Sequence, residues 1–421
     1  MAPRTSSETI DRAAHEAIAS ACAEVADAEE ADLVDGVRPG LVARPADTDQ
    51  VAEVLRAAAA HGLSVVPRGR GTKMSWGTPP TSADVLLDVG GLDQVLDHAA
   101  GDLIVVAQAG ARLADVREVV GQGGQRLALD ETVPGASIGG TLAMNTSGPR
   151  RMATGTARDL LIGITMVRAD GVIAKAGGRV VKNVAGYDLG KLLIGSFGTL
   201  AVITGATFRL HPVPVTHRWV TATVTSPAQA QELVQSVLHS QAVPAAIEVD
   251  WAEGTGSVSV LLEGREEGVA GRTAAIRQLL GDDSTESIDA PVDAAYPWDL
   301  AASGDQRSTA LKLTFALSGL CAVLSAATEA SVSLRGSAGA GVVYASMPPG
   351  APVERVRARV DRLRPACTEH GGTAVVIDAP AGVKAGLDVW GPIPALDLMQ
   401  RVKDQFDPDH RLSPGRFVGG I

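Results

Sequence analysis

The segment from Val180 to Leu210 constrains the fold of this chain more than any other stretch. It reads VVKNVAGYDLGKLLIGSFGTLAVITGATFRL, in which glycine, serine and threonine cluster at 195–199 before an apolar run from Leu200 to Ile203. Glycine and short hydroxyl side chains leave backbone amides uncovered, and the apolar run predicts a buried strand. Alone, this pattern indicates only a tight turn before a strand. Together with two glycine-rich segments upstream, it predicts a three-loop cradle for a large cofactor.

The first glycine loop, VPRGRGTKMSWG, spans Val66 to Gly77. Before it, Asp47 can cap a helix that Gly62 ends, and Leu63 to Val66 predicts a buried strand. A strand that runs into RGRGT offers successive backbone amides, which is the geometry of an anion-binding nest for a diphosphate. The segment matches neither a P-loop nor the GxGxxG fingerprint, and a basic surface turn is the alternative. Positive charge comes from Arg68, Arg70 and Lys73.

The second glycine loop, TVPGASIGGTLAMNTSGPRR, spans Thr132 to Arg151. Its glycines alternate with serine, threonine and asparagine side chains that form hydrogen bonds. A flexible linker would be equally rich in glycine, but it would rarely contain apolar residues such as Ile138, Leu142 and Met144. These apolar residues favour a packed loop.

In their order along the chain, these segments resemble the FAD-binding domain of the vanillyl-alcohol oxidase type, also called PCMH-type. The matching blocks are the helix–strand–RGRGT unit, GDLIVVAQAG, the second glycine loop and GYDLGKLLIGSFGTLAVIT. KNVAGYDL, NTSGPRR, and Phe197 where many relatives carry glutamate most resemble the FAD-binding E subunit of bacterial glycolate oxidase. The resemblance returns in FDPDHRLSPGRF, from Phe406 to Phe417, which is similar to the closing motif of the family.

The resemblance implies an α+β fold with a two-subdomain PCMH-type FAD-binding domain and a smaller α+β cap domain. We expect an N-terminal helical segment at 1–36, the FAD-binding domain at 37–214, the cap at 215–389 and a C-terminal segment at 390–421 that packs on the FAD domain. Residue patterns predict an N-terminal helix over Ser6–Glu30 and a polar loop over Gly281–Ala294.

Relatives that bond FAD covalently use a histidine in the first loop or a cysteine near the second. Here the first loop has no histidine and the second has no cysteine, so the resemblance implies non-covalent FAD. The residues implied in binding FAD are Pro67, Arg68, Gly69, Arg70, Gly71, Thr72, Ser75, Trp76, Pro134, Gly135, Ile138, Gly139, Gly140, Asn145, Ser147, Gly148, Gly198, Val202, Ile203 and Arg416.

The catalytic residues are not identified by the sequence. The cap segment RGSAGAGVVYAS, from Arg335 to Ser346, lacks the histidines of the metal motif that related 2-hydroxy-acid enzymes carry, and no metal site is expected. His370 is a weak candidate for a general base, although a surface histidine ending a helix is the more ordinary interpretation. Arg335 is a weak candidate for binding a carboxylate, with a salt bridge as the alternative. Lys182, Asn183, Tyr187 and Asp188 suggest either a flavin or partner contact or a helix start near Asp188.

Composition limits the partners. The chain of 421 residues has 37 basic and 48 acidic residues, and this net charge of −11 disfavours nucleic acid and anionic membrane. Its three cysteines are widely separated and odd in number, which suits a reducing compartment. The apolar stretch Leu313–Thr328 is shorter than the roughly 20 residues of a membrane span. We expect a cytoplasmic protein, or one held at the inner face of the membrane only through its partners.

The sequence therefore predicts an FAD-binding subunit of a multi-subunit 2-hydroxy-acid dehydrogenase resembling glycolate oxidase. Its expected partners are a second FAD-containing subunit, an iron–sulfur subunit that passes electrons to a quinone, and a small 2-hydroxy acid as substrate. Two alternatives stay open: a self-sufficient FAD-dependent dehydrogenase, and a non-catalytic assembly subunit that has kept the fold.

Overall fold

The computed structural model describes residues 10–179, 186–290 and 304–421. The predictions that concerned Lys182 and Asn183 lie outside these described residues. None of the helices in the described ranges combines the length and the apolar character needed to span a bilayer.

The first part of the chain forms a four-stranded sheet with two helices. In this sheet β1 pairs with β2 antiparallel, whereas β2 and β3 both pair with β4 in parallel. The Asp47 carboxylate accepts a hydrogen bond of 2.8 Å from the Gln50 amide and caps the second helix, as predicted. The elements are α1 (Arg12–Ala21), β1 (Glu24–Asp27), β2 (Leu41–Arg44), α2 (Thr48–Ala60), β3 (Val65–Arg68) and β4 (Val85–Asp88).

The predicted helix over Ser6–Glu30 was wrong in its extent. The helix ends at Ala21, and the chain then extends into β1 because Glu24–Asp27 pairs with β2. Backbone pairing with a neighbouring strand thus overrides the helical preference of an alanine-rich segment, which is only a weak local tendency.

A second sheet of five antiparallel strands follows, in the order β5-β6-β10-β8-β9. Its long central strand β10 begins directly after residues 195–199, the third glycine segment. The elements are β5 (Val95–Ala99), β6 (Ile104–Gln108), α3 (Leu113–Gly121), β7 (Gln125–Arg126), α4 (Ile138–Met144), α5 (Arg151–Thr154), α6 (Ala157–Leu160), β8 (Leu161–Arg168), β9 (Ile173–Gly177), α7 (Leu189–Leu193), β10 (Ala201–Arg209) and β11 (His211–Pro212).

The third sheet has eight antiparallel strands, in the order β15-β12-β14-β13-β17-β18-β16-β19. Four helices, α8 to α11, cover one of its faces around an apolar core. The elements are β12 (Thr216–Val224), α8 (Pro227–Leu238), β13 (Ala246–Ala252), β14 (Thr255–Gly264), α9 (Glu266–Leu280), β15 (Thr285–Ser287), β16 (Thr309–Thr314), α10 (Leu320–Ala330), β17 (Ser333–Ser337), β18 (Val342–Met347), α11 (Val353–Thr368), β19 (Ala374–Asp378) and α12 (Ala381–Ala385).

Alternation along β16 divides the two faces of this sheet. Leu311 and Leu313 belong to the core under the helices, whereas Ala310 packs in a cluster with Trp76 on the opposite side. Successive side chains of a strand point to opposite faces, so Lys312 shares the face of Ala310.

The polar loop predicted over Gly281–Ala294 needs a correction, because Thr285–Ser287 forms β15 against β12.

The C-terminal segment returns to the first two sheets. It contains α13 (Leu396–Phe406), from which the fully buried Lys403 amine donates hydrogen bonds to the carbonyls of Thr199 (2.8 Å) and Leu412 (3.0 Å). The Asp407 carboxylate, 2.7 Å away, balances its charge. This contact holds the C-terminal segment against the third glycine segment. The domain boundaries at 36, 214 and 389 stay predictions.

A buried ion network joins the third sheet, called the cap sheet below, to the first glycine loop. Arg307 bridges Asp35 (2.9 Å) and Asp378 (3.0 Å), and Lys384 lies 2.6 Å from the Asp35 carboxylate. The Ser75 hydroxyl donates a hydrogen bond of 2.9 Å to Asp378. Two carboxylates therefore face two cations, so the network is electrically balanced although it is removed from water.

Glu248 on β13 provides a pH-dependent test of the packing between this sheet and α5. Burial raises the pKa of its carboxyl to about 8, and Arg151 opposes this rise only in part. The folded protein then holds a proton that the unfolded chain has released above pH 4 to 5, so stability falls as the pH rises toward 8. Each unit of such a pKa change corresponds to about 1.4 kcal/mol.

We expect Glu248→Gln to stabilise the protein at pH 9 and to have little effect at pH 5, because the amide cannot ionise. Thermal unfolding at both pH values measures this. The exposed Glu232→Gln variant is the matched control. An equal change in melting temperature at both pH values would contradict the prediction.

Candidate functional site

The first cavity lies where the three glycine segments meet, and it encloses about 660 Å³ including its open mouth. Most of it was predicted from the sequence. The predicted residues that line it are Pro67, Arg68, Gly69, Arg70, Gly71, Thr72, Gly139, Gly140, Gly198, Val202, Ile203 and Arg416. The predicted residues that do not line it are Ser75, Trp76, Pro134, Gly135, Ile138, Asn145, Ser147 and Gly148.

The glycines of this cavity are required by its geometry. Gly71 and Gly198 have φ values of +74° and +71°, which side chains other than glycine rarely adopt. A Cβ on Gly69 would lie 2.3 Å from the Ser137 hydroxyl, and one on Gly139 would lie 2.9 Å from the Ala109 Cβ. At these glycines the cavity wall is bare backbone, as a cradle for a large ligand requires.

The second glycine loop is not a loop throughout. Ser137 caps the short helix α4, accepting a hydrogen bond of 3.2 Å from the Gly140 amide, and the helix ends at Met144. Glycines at its start hid this helix from a sequence-based prediction, because glycine weakens helical propensity. The helix brings Ala143 and Met144 into the cavity wall.

The arginines of the first glycine loop already have partners. Arg68 pairs with Asp32 (2.7 Å) and Asp88 (2.8 Å), and Arg70 lies 3.0 Å from Asp93. Their positive charge, which the sequence suggested for a diphosphate, is thus largely balanced within the protein.

Two other cations lining the cavity have no carboxylate partner in the described part of the chain. Lys73 is 4% exposed, and burial lowers the pKa of its amine to about 8. Arg416 is 1% exposed; it donates hydrogen bonds to the carbonyls of Met74 (2.7 Å) and Trp76 (2.8 Å), while its Nε has no acceptor in the described ranges. Burial lowers the Arg416 pKa to about 10, so it stays charged at neutral pH. Unpaired buried cations beside bare backbone fit an anionic cofactor such as FAD.

A second cavity adjoins the first and shares Met144 and Phe197 with it. It encloses about 740 Å³ including its open mouth. Trp76 and Asn145, which the sequence assigned to cofactor binding, lie here. The lining residues that sequence reasoning missed include Lys312, Thr314, Tyr344, Thr373, Val375, Ile377 and Trp390.

Lys312 is the charged residue among those that line the second cavity. In the described part of the chain its amine forms neither a hydrogen bond nor an ion pair. Burial and the nearby Arg151 charge lower its pKa, while Tyr344 opposes this effect. Arg151 donates a hydrogen bond of 3.1 Å to the Tyr344 hydroxyl. The alternation of β16, an amphipathic strand, was the sequence signal that could have pointed to Lys312.

The two weak catalytic candidates lie elsewhere. Neither His370 nor Arg335 is among the residues that line the two cavities. Arg335 pairs with Asp250 across neighbouring strands at 3.1 Å, as its alternative interpretation proposed. His370 follows α11 and packs beside Gly319 in the cap. Asp188 caps α7, and Tyr187 is 93% exposed.

Comparison with known proteins finds relatives of the segment that carries most of the first cavity. The family model for an FAD binding domain matches residues 39–177. This matched segment contains the first and second glycine loops. Glycolate oxidase subunit GlcD of Bacillus subtilis is 33% identical over 211 residues, which cover 50% of this chain and 45% of that protein. An uncharacterised FAD-linked oxidoreductase of Mycobacterium tuberculosis is 28% identical over 91% of both chains.

Other similarities agree with this family. D-lactate dehydrogenase of Archaeoglobus fulgidus is 34% identical over 41% of this chain and 39% of that protein. The chain spans less than half the length of these glycolate and lactate relatives. Glucooligosaccharide oxidase from Acremonium strictum has the same fold, with a TM-score of 0.69, 17% identity and coverage of 95% of this chain and 98% of that structure.

The flavin of this protein should be dissociable. Glucooligosaccharide oxidase carries a 6-S-cysteinyl, 8α-N1-histidyl FAD. Here no cysteine or histidine is found among the described residues that line the first cavity. After acid precipitation we expect the yellow colour in the supernatant. Flavin fluorescence that stays on the denatured chain would contradict this.

Gly71→Asp should produce a folded, flavin-poor protein. The substitution adds a Cβ at positive φ and a negative charge beside the cavity, so strain and Coulomb repulsion both oppose an anionic cofactor. We expect at least a tenfold loss of FAD affinity in titrations of the apoprotein. Gly62→Asp is the matched control, because Gly62 has φ +63° at the end of α2, outside both cavities. Equal FAD affinity in the two variants would show that the charge at Gly71 does not face the cofactor.

Proposed function

We propose that this chain is the FAD-binding subunit of a heteromeric 2-hydroxy-acid dehydrogenase related to glycolate oxidase. The observation that carries the proposal is Lys312, an amine with no hydrogen-bond or ion-pair partner among the described residues, in a cavity that adjoins the glycine cradle. Relatives named for glycolate and D-lactate oxidation, together with D-2-hydroxyglutarate dehydrogenase of Xanthomonas citri, support the substrate class.

Lys312 is suited to bind the carboxylate of such a substrate. Its partial burial reduces competition from water, and a charge-assisted hydrogen bond to a carboxylate is stronger than one between neutral groups. Because a nearby negative charge favours a protonated amine, a bound anion would oppose the lowering of the Lys312 pKa by burial. Arg151, which contacts Tyr344, adds positive potential at the same end of the cavity.

Oxidation of a 2-hydroxy acid removes a hydride from C2 and a proton from the hydroxyl group, leaving a 2-oxo acid. FAD, when bound, accepts the hydride. The wall shared by the two cavities, formed by Met144 and Phe197, would set the distance between C2 and the cofactor. The hydroxyl proton needs a base, and neither cavity has an imidazole or a carboxylate among its described lining residues.

This missing base supports a role within a complex. We infer that a second FAD-containing subunit completes catalysis and that an iron–sulfur subunit accepts the electrons and passes them to a quinone. The relative from Bacillus subtilis is itself named a subunit. The iron–sulfur centre is assigned to a partner because the three cysteines of this chain, at positions 22, 321 and 367, are far apart in the sequence. We place the complex in the cytoplasm or at the inner face of the membrane.

A self-sufficient dehydrogenase is the second candidate, and Tyr344 favours it. Its hydroxyl lies in the second cavity, in contact with the Arg151 guanidinium and in the electrostatic range of Lys312. Once ionised, this phenol oxygen would accept the proton of the substrate hydroxyl. A non-catalytic assembly subunit, by contrast, would lack stably bound flavin.

The isolated, FAD-loaded chain should keep its oxidised flavin spectrum for minutes with D-lactate under anaerobic conditions, whereas the complete complex should bleach. General-base assistance contributes about 100- to 10,000-fold, which the lone chain would lack. Rapid bleaching by the lone chain that Tyr344→Phe abolishes would favour the self-sufficient enzyme.

In the complex, Lys312→Met should raise KM about 10- to 100-fold, because the substrate loses a hydrogen bond to a charged group. Lys175→Met, on an exposed strand position, should leave KM unchanged.

A further inference from the structure

The floor of the second cavity is one face of the cap sheet. Lys312 on β16 stands directly opposite Tyr344 on β18 and Val375 on β19. Thr314 and Ile377 lie two positions along their strands and line the same cavity. The charge of Lys312 is thus bordered by an aromatic ring on one side and a branched apolar side chain on the other.

Three aromatic rings, those of Trp76, Phe197 and Trp390, contribute to the remaining walls of the cavity. Trp76 is 3% exposed and packs in an apolar cluster with Tyr344 and Ile377. Phe197 contacts Trp390 edge-on with ring centroids 5.4 Å apart, and both rings contact Phe417 within 5.3 Å. Rings held by one another in this way form a rigid apolar wall.

This apolar wall is not accounted for by the cofactor cradle. Met144 and Phe197 line both cavities, but Trp76, Val375, Ile377 and Trp390 line only the second. An apolar surface of this extent around one cation is matched by a ligand with a carboxylate at one end and an apolar group at the other.

Two polar atoms at this cavity also have no partner in the described ranges. They are the Oδ1 acceptor of Asn145 and the Nε1 donor of Trp390, both buried. A 2-hydroxy acid offers a hydroxyl donor and carboxylate acceptors, which complement these atoms. An unsatisfied buried polar atom is costly, so a ligand that pairs with it gains affinity.

We infer that the substrates of this site are 2-hydroxy acids with a bulky apolar side chain, branched aliphatic or phenyl, rather than glycolate or lactate; the inference rests on the function proposed above. Glycolate has no carbon beyond C2, and lactate has one methyl group, so both leave the aromatic wall uncovered. Each methylene buried against an apolar wall is worth about a fourfold gain in affinity. A side chain of several carbons should therefore bind at least tenfold tighter than glycolate.

Binding to the FAD-loaded full-length chain tests this directly. Perturbation of the flavin spectrum gives the Kd of glycolate, lactate, 2-hydroxy-4-methylpentanoate and 3-phenyllactate. We expect the Kd to fall at least tenfold from glycolate to 3-phenyllactate. Val375→Thr keeps the shape of the wall but adds a hydroxyl, and it should reduce that preference at least about threefold. Val215→Thr, at a side chain that is 72% exposed, is the matched control and should retain the preference.

The outcomes separate this inference from the proposed function. If all four acids bind with similar Kd values and Lys312→Met weakens them all, the proposed function stands and the apolar preference is overturned. If none of the four acids binds although FAD stays bound, both the proposed function and the apolar preference are overturned. A preference for 3-phenyllactate that depends on both Lys312 and Val375 supports both.

Discussion

The buried ion network around Asp35 is the interaction on which the rest of this structure depends. Arg307 and Lys384 from the cap form ion pairs with Asp35 from the N-terminal segment. The Asp378 carboxylate accepts a hydrogen bond from the Ser75 hydroxyl of the first glycine loop. Losing one partner of such a network typically costs about 3–5 kcal/mol, because a charge is then left buried and unpaired. The cap sheet is therefore held in one position relative to the glycine cradle.

That position creates the candidate site. It sets the face of the cap sheet that carries Lys312 and Tyr344 against the wall that Met144 and Phe197 share between the two cavities. On the other side, the Lys403 amine ties the C-terminal segment to the carbonyl of Thr199, beside the third glycine segment. Arg416 reaches the first cavity from this same C-terminal segment, so a residue distant in sequence from all three glycine segments completes the cofactor cradle.

Charge in the cradle was distributed differently from what the sequence suggested. Arg68 and Arg70 looked like the anion-binding residues, but acidic side chains already neutralise them. Lys73 and Arg416 instead face the cavity without carboxylate partners in the described ranges. Sequence patterns reveal which residues are basic, whereas pairing depends on which carboxylates the fold brings within a few ångströms.

The sequence by itself determined the glycine cradle and its resemblance to FAD-binding domains, because positive φ angles and close backbone contacts require glycine at particular positions such as Gly71 and Gly198. It also predicted the cap of α2 at Asp47, since capping is local. Only the tertiary structure decided that α1 stops at Ala21 and that Lys312 and Trp76, from two distant parts of the chain, line the same cavity. These features depend on pairing and packing between segments distant in sequence, for which no local pattern exists.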